Sequence, residues 1–133
     1  SEHLFQLISK ELKEMVIRKD TLLWDWNEQP DALYFIESGI LKARYAFPQD
    51  DYEISEAMLA GTIAGELTFL AQQPRDTMVR TEVDTKVWRL NGQSVNNIVH
   101  QDTQAYTMLV QLLLRITADE QNCLRSYLVS QMS

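Results

Sequence analysis

Glu66 and Arg75, of opposite charge, stand nine positions apart in GTIAGELTFLAQQPRDTMVRT, Gly61 to Thr81. The stretch reads as a strand-ending turn, a short helix, a loop closed by Pro74 and Arg75, and a returning strand. A carboxylate accepts hydrogen bonds from hydroxyls, and a guanidinium offers fixed donors to phosphate oxygens. Around one small pocket the pair would suit an anionic, hydroxylated ligand. Backbone N–H groups at the start of the helix, Gly65 to Thr68, would add anion affinity. A plainer reading uses the same residues: Glu66 with Arg75, or Arg75 with Asp76, could pair and hold the loop shut.

Other chemistry is thin. His3 and His100 lie far apart without ligand-spaced partners, and read as surface or helix-end residues. Cys123, the one cysteine, falls on an apolar helical stripe and reads as a small buried hydrophobe. No internal disulfide is possible with one cysteine, and a metal site is not expected. There is no phosphate-loop motif, no nucleophile–base pair and no paired carboxylates in a catalytic frame. The expectation is a protein without catalytic residues, not an enzyme.

The elements that must position Glu66 and Arg75 follow from periodicity. Leu4, Phe5, Ile8, Leu12, Met15 and Val16 share one helical face, which predicts an N-terminal helix over residues 1–17. Short β-rich runs follow at Leu22–Trp26, Ala32–Glu37, Ile40–Phe47, Tyr52–Met58, Val79–Val83 and Lys86–Leu90, separated by turn signals such as Ser38-Gly39 and Pro48 to Asp51. Close-spaced short strands predict a small barrel or roll over 18–90, not a parallel sheet. Trp24, Trp26, Tyr34, Phe35, Tyr45 and Phe47 then read as packing residues. Over 91–133 the pattern returns to helices, with Asn91 capping one, and Asp102 or Thr103 the next. The second carries Met108, Leu109, Leu112, Leu113, Ile116, Cys123, Leu124, Tyr127 and Leu128 on its apolar stripe.

Length and composition agree with one globular domain over 1–133: 45% hydrophobic and 23% charged residues leave no reason to expect disorder. Twelve basic against nineteen acidic residues give a net charge of −7, which argues against nucleic acid as a partner. No apolar run is long enough to span a bilayer. The chain opens on Ser, so a piece of a larger protein is expected.

Three blocks resemble the cyclic nucleotide-binding domain family: DALYFIESGILKARY (Asp31–Tyr45), GTIAGEL followed by PRDTMV, and KVWRLNGQS (Lys86–Ser94). They are similar, in order, to its strand–Gly–strand hairpin, its phosphate-binding cassette and its last strand. The resemblance implies an α+β fold, an antiparallel β-roll (a double-stranded, jelly-roll-like β-helix) with an N-terminal helix, a short cassette helix and two C-terminal helices. It implies cassette residues 61–79, with Gly65 and Glu66 at the ribose, Arg75, Asp76 and Thr77 at the cyclic phosphate, and Met78 near the base. The ligand it implies is cAMP or cGMP, with no cofactor required. Asp20 and Asn27 replace turn glycines and suit left-handed turns.

The cassette departs from the family pattern at Ala64, Asp76 and Met78. A carboxylate about 5 Å from a phosphate costs roughly 3 kcal/mol at an effective dielectric of about 20. One charge-assisted bond from Arg75 returns about 1.5–3 kcal/mol. The expected function is thus a regulatory or accessory domain with a cassette degraded for cyclic nucleotides. Two alternatives stand beside it: a competent sensor relaying binding through its C-terminal helices, and the sensor half of a catabolite-activator-like regulator. Block one also resembles the cytosolic tail of fungal SulP-type anion transporters. The partners expected are the rest of its own polypeptide and a second copy through the C-terminal helices. The expected location is the cytoplasm, with a membrane reached only through a parent protein.

Overall fold

The computed structural model describes residues 2–47, 52–111 and 113. Helix α1 (Glu2–Glu11) leads into strands β1 (Lys13–Ile17), β2 (Leu22–Trp24), β3 (Ala32–Ser38), β4 (Ile40–Phe47), β5 (Tyr52–Leu59) and β6 (Ile63–Ala64). The cassette helix α2 (Glu66–Ala71), strands β7 (Met78–Thr81) and β8 (Thr85–Asn91), and helix α3 (Gly92–Gln101) follow. A further helix, α4, occupies 103–111 and includes 113. The strands form two four-stranded antiparallel sheets, ordered β1-β8-β3-β6 and β2-β7-β4-β5. This is the expected α+β roll.

Strand alternation builds two apolar clusters back to back. From β3, Ala32, Tyr34 and Ile36 point into the roll with Trp24, Leu41, Ala43, Ala64, Val79 and Val87. Leu33, from the opposite face of β3, joins Ile8, Ile63, Phe69, Leu90, Ile98, Ala105, Leu109 and Leu113 beneath the helices. The cassette lies between them: Phe69 of α2 belongs to the helical cluster, whereas Ala64, just before α2, belongs to the roll.

The N-terminal helix is shorter than predicted. It ends at Glu11, and Lys13–Ile17 pairs with β8 instead. Met15 and Val16 are exposed, at 39% and 71%, and only Ile17 is buried, in the roll, so the apolar helical face expected here is not buried against the domain. Five residues of backbone pairing and a buried β-branched Ile17 outweigh the helical spacing of Met15 and Val16. Strand β2 stops at Trp24 because Asp25 Oδ1 accepts from Trp26 N (2.8 Å) and Asn27 turns left-handed.

The turn residues behave as their chemistry predicts. Asp20 and Asn27 hold φ of 63° and 67°. Asn91 caps α3 by accepting from Ser94 N (2.8 Å), and Asp102 Oδ1 accepts from Gln104 N (2.8 Å) at the start of α4. Gln72 closes α2 in a left-handed conformation at φ 53°, a role nothing in its type announces. His100 is exposed in the last turn of α3. The readings on Ile116, Cys123, Leu124, Tyr127, Leu128 and the Pro48–Asp51 turn lie outside the described residues, as do the side chains of His3, Leu4, Phe5, Phe47 and Leu112.

Candidate functional site

A cavity of about 560 Å³ opens between the inner faces of β4 and β5 and the cassette. That volume is in the range of small-molecule sites. It is lined by Trp24, Tyr45, Glu56, Gly65, Glu66, Thr68, Asp76 and Thr77, with apolar lining from residues that include Ala43, Met58, Ile63 and Leu67. Gly65 and Glu66, the residues the family resemblance assigns to a ribose, line this cavity. So do Asp76 and Thr77.

Gly65 has to be glycine. It precedes α2 at φ 78°, and a Cβ there would come within 2.6 Å of Arg75 Nη1 and 2.8 Å of Trp24 Cη2. Glu66, next to it, is buried at 9% exposure.

Arg75 is not on the cavity wall. It is buried at 3% exposure, and its guanidinium is turned into the protein. Nη1 donates to Gly65 O (2.7 Å) and Thr68 Oγ1 (2.8 Å), and Nη2 donates to Ala32 O (2.6 Å). Three of its five N–H donors are committed in this way. The indole of Trp24 covers the guanidinium, with Cζ 4.1 Å from the ring centroid. The backbone is fixed as well: Asn27 N donates to Arg75 O and Arg75 N to Glu28 O, both at 2.8 Å. Burial lowers the guanidinium's pKa from its ordinary value, opposed by Tyr34 and by the carboxylates of Asp31, Glu28 and Asp76.

Trp24 is what separates Arg75 from the cavity. It is 5% exposed, stacks on Tyr34 with ring centroids 5.9 Å apart, and donates from Nε1 to Thr77 Oγ1 (3.2 Å). The Thr77 hydroxyl, a phosphate group's partner in the sequence reading, thus accepts from an indole. The small residue at position 64 makes sense beside this: Ala64 lies directly across from Tyr34 on β3, and the aromatic pair fills the volume a larger side chain would take. Met78 is buried on β7, opposite Arg44, and is not a wall residue.

The cavity's charge is negative. Glu56, Glu66 and Asp76 line it, and no lysine or arginine does so among the described residues. Tyr45 records the result: its hydroxyl is hydrogen-bonded to Glu56 Oε2 (3.1 Å), and burial, then Glu56, Asp76 and Glu66, push its pKa up to about 12. Sequence reasoning about the cassette alone passes over Trp24, Tyr45 and Glu56. A signal for Glu56 exists: in β5 it shares strand parity with Ile54 and Met58, and lies opposite inward-facing Ala43.

The family model for the cyclic nucleotide-binding domain matches residues 14–102. The chain belongs to the cyclic nucleotide-binding domain family. Among solved structures, it is similar to a cyclic nucleotide-binding domain from Methylobacillus flagellatus, at 14% identity and TM-score 0.83, covering 98% of this chain and 74% of that one. It resembles the catabolite activator protein of Thermus thermophilus at 17% identity and TM-score 0.71, covering 98% of this chain but 60% of that one. A third likeness is to cAMP-bound PfPKA-R, at 18% identity and TM-score 0.65, over 74% of this chain and 35% of that one. At these identities the likeness is one of fold. The sequence has no significant match among curated proteins. No helix among the described residues is long and apolar enough to cross a membrane, and no group of three His, Cys, Asp or Glu among them could hold a metal ion.

Proposed function

We propose that this is a regulatory or accessory domain of a larger protein, which keeps the cyclic-nucleotide fold while its cassette is closed to cyclic nucleotides. One observation carries the reading. Arg75, the residue the family pattern assigns to the cyclic phosphate, spends its donors on Ala32, Gly65 and Thr68 behind Trp24. An incoming phosphate would meet Asp76 and Glu66 first and would have to displace three protein acceptors to reach the guanidinium. Charge-assisted bonds of this kind contribute about 1.5–3 kcal/mol each.

On this reading the domain works through the rest of its own polypeptide, with self-association through its C-terminal helices as a second contact. It spans 60% of the Thermus thermophilus activator and 35% of PfPKA-R, which is consistent with a module that regulates something larger. Attachment to a SulP-type transporter rests on the hairpin block alone, and the structures it resembles above are not of that kind.

A second reading, a competent cAMP or cGMP sensor, draws on a specific observation: Gly65 and Glu66 remain at a cavity of adequate size. Isothermal titration separates the two. The closed cassette gives no saturable heat with cAMP or cGMP at millimolar concentration; micromolar binding of either overturns it and favours the sensor.

A further inference from the structure

We infer that the Trp24 indole is a built-in occupant of the cassette, seated against the residues an external ligand would touch, and that this one side chain excludes cyclic nucleotides. The inference rests on the closed-cassette reading and names the group that does the closing. It also assigns the seat a chemistry of its own: a slot for a flat aromatic ring bearing an N–H donor.

Three contacts converge on the ring. The Arg75 guanidinium lies against its face, with Cζ 4.1 Å from the centroid. Nε1 donates to Thr77 Oγ1 (3.2 Å), and Cη2 comes within 2.8 Å of where a Cβ on Gly65 would stand. Arg75 and Thr77 are residues the family resemblance assigns to the phosphate, and Gly65 to the ribose. One side chain from β2 reaches all three. Each contact is of the kind a ligand makes: a π face on a cation, an N–H on a hydroxyl, an edge against a residue with no side chain. The backbone aims the indole, because the pairing of β2 with β7 shifts register between Leu22 and Trp24. Stacking on Tyr34 and 5% exposure then hold it in place. Trp24, Gly65 and Thr77 line the cavity and Arg75 does not, so the ring is the partition between that space and the guanidinium. Without the ring, the cavity would extend to a cation.

Three forms of the chain test this, unaltered, Trp24→Phe and Trp24→Ala, titrated with cAMP, adenosine and indole. Trp24→Ala is expected to bind cAMP roughly tenfold or more tighter than the unaltered chain does, and tighter than adenosine, which lacks the phosphate. Indole should raise the melting temperature of Trp24→Ala but not of the unaltered chain, and should compete with cAMP for the vacated seat. Trp24→Phe keeps a ring over Arg75 and should stay closed. No gain of cAMP binding in Trp24→Ala, a gain that indole leaves untouched, or an equal gain in Trp24→Phe would overturn the assignment. If Trp24→Ala does not fold alone, refolding with each probe gives the readout: rescue by both indole and cAMP supports the assignment. Rescue by indole only, or by neither, overturns it and leaves Trp24 a core residue. Micromolar cAMP binding by the unaltered chain would overturn the closed-cassette reading itself, an outcome separate from these.

Discussion

Arg75 carries its charge into the protein, and that decides what replacing it should do. Removing the side chain leaves the carbonyls of Ala32 and Gly65 and the Thr68 hydroxyl without their donor, beneath an indole that has lost its support. Arg75→Ala should destabilise the domain by about 3–5 kcal/mol. Arg75→Lys should recover less than half of this, because one ammonium cannot span three acceptors or lie flat on Trp24. Urea unfolding of the three proteins checks both, and a loss below about 1 kcal/mol would mean that Arg75 is not the tether described. Tyr45 supports a second expectation. Its pKa of about 12 lies above the ordinary tyrosine value, so the folded state holds the proton that the unfolded state releases. The stability this contributes is complete below pH of about 10 and is lost as pH rises toward 12. Phenolate absorbance should show a late-titrating component that is lost in Tyr45→Phe and shifted down in Glu56→Gln. At this scale the cassette residues were legible in the sequence, whereas Trp24, Tyr45 and Glu56 on the wall, the burial of Met78 and the orientation of Arg75 were not. Gly65, Glu66, Asp76 and Thr77 line the cavity, but which way Arg75 turns depends on the Ala32 carbonyl and the Trp24 ring, both more than 40 positions away.

Among elements, legibility follows how local the cause is. Left-handed Asp20 and Asn27 and the capping Asn91 could be read in advance because each acts through its own side chain and its neighbours. The end of α1 could not. Residues 13–17 satisfy a helical period and a strand period alike, and only their partner β8, some 70 positions on, selects the strand. Lys86 on β8 then bridges Glu14 of β1 (3.0 Å) and Glu37 of β3 (2.8 Å), so the pairing carries a charge register across three strands. These exposed pairs specify alignment more than they stabilise. The cap at Asn91 is different, because Ser94 N has no other acceptor within its own helix turn. Asn91→Ala should cost about 1 kcal/mol and Asn91→Asp close to nothing. Chemical denaturation measures the pair, and equal losses in the two would point to the strand end rather than the cap.

For the whole molecule, the organising fact is that β3 is buried on both faces, so the roll and the helical layer share a wall without sharing a core. Leu33 and Ile63 meet the helices, whereas Tyr34 and Ala64, their immediate neighbours in sequence, face the roll. Damage on one side of that wall need not spread to the other. Leu109 of α4 tests this, being 2% exposed and wholly within the helical cluster. Leu109→Ala should cost about 2–4 kcal/mol through the cavity it leaves. Its effect on amide exchange should be uneven: protection falls in α1 and α3, while β4 and β7, which pack on the roll side, keep theirs under native conditions. Helix α2 should fall between, because Phe69 reaches into the helical cluster while the Gly65 carbonyl and Thr68 hydroxyl at its start are held by Arg75 from the roll. Hydrogen exchange resolved by segment distinguishes the outcomes. A uniform loss across strands and helices would show one cooperative unit, in which the cassette has no independent play. Protection lost from the helices, with α2 intermediate, would make the cassette the mechanical link between the cavity and the C-terminal helices.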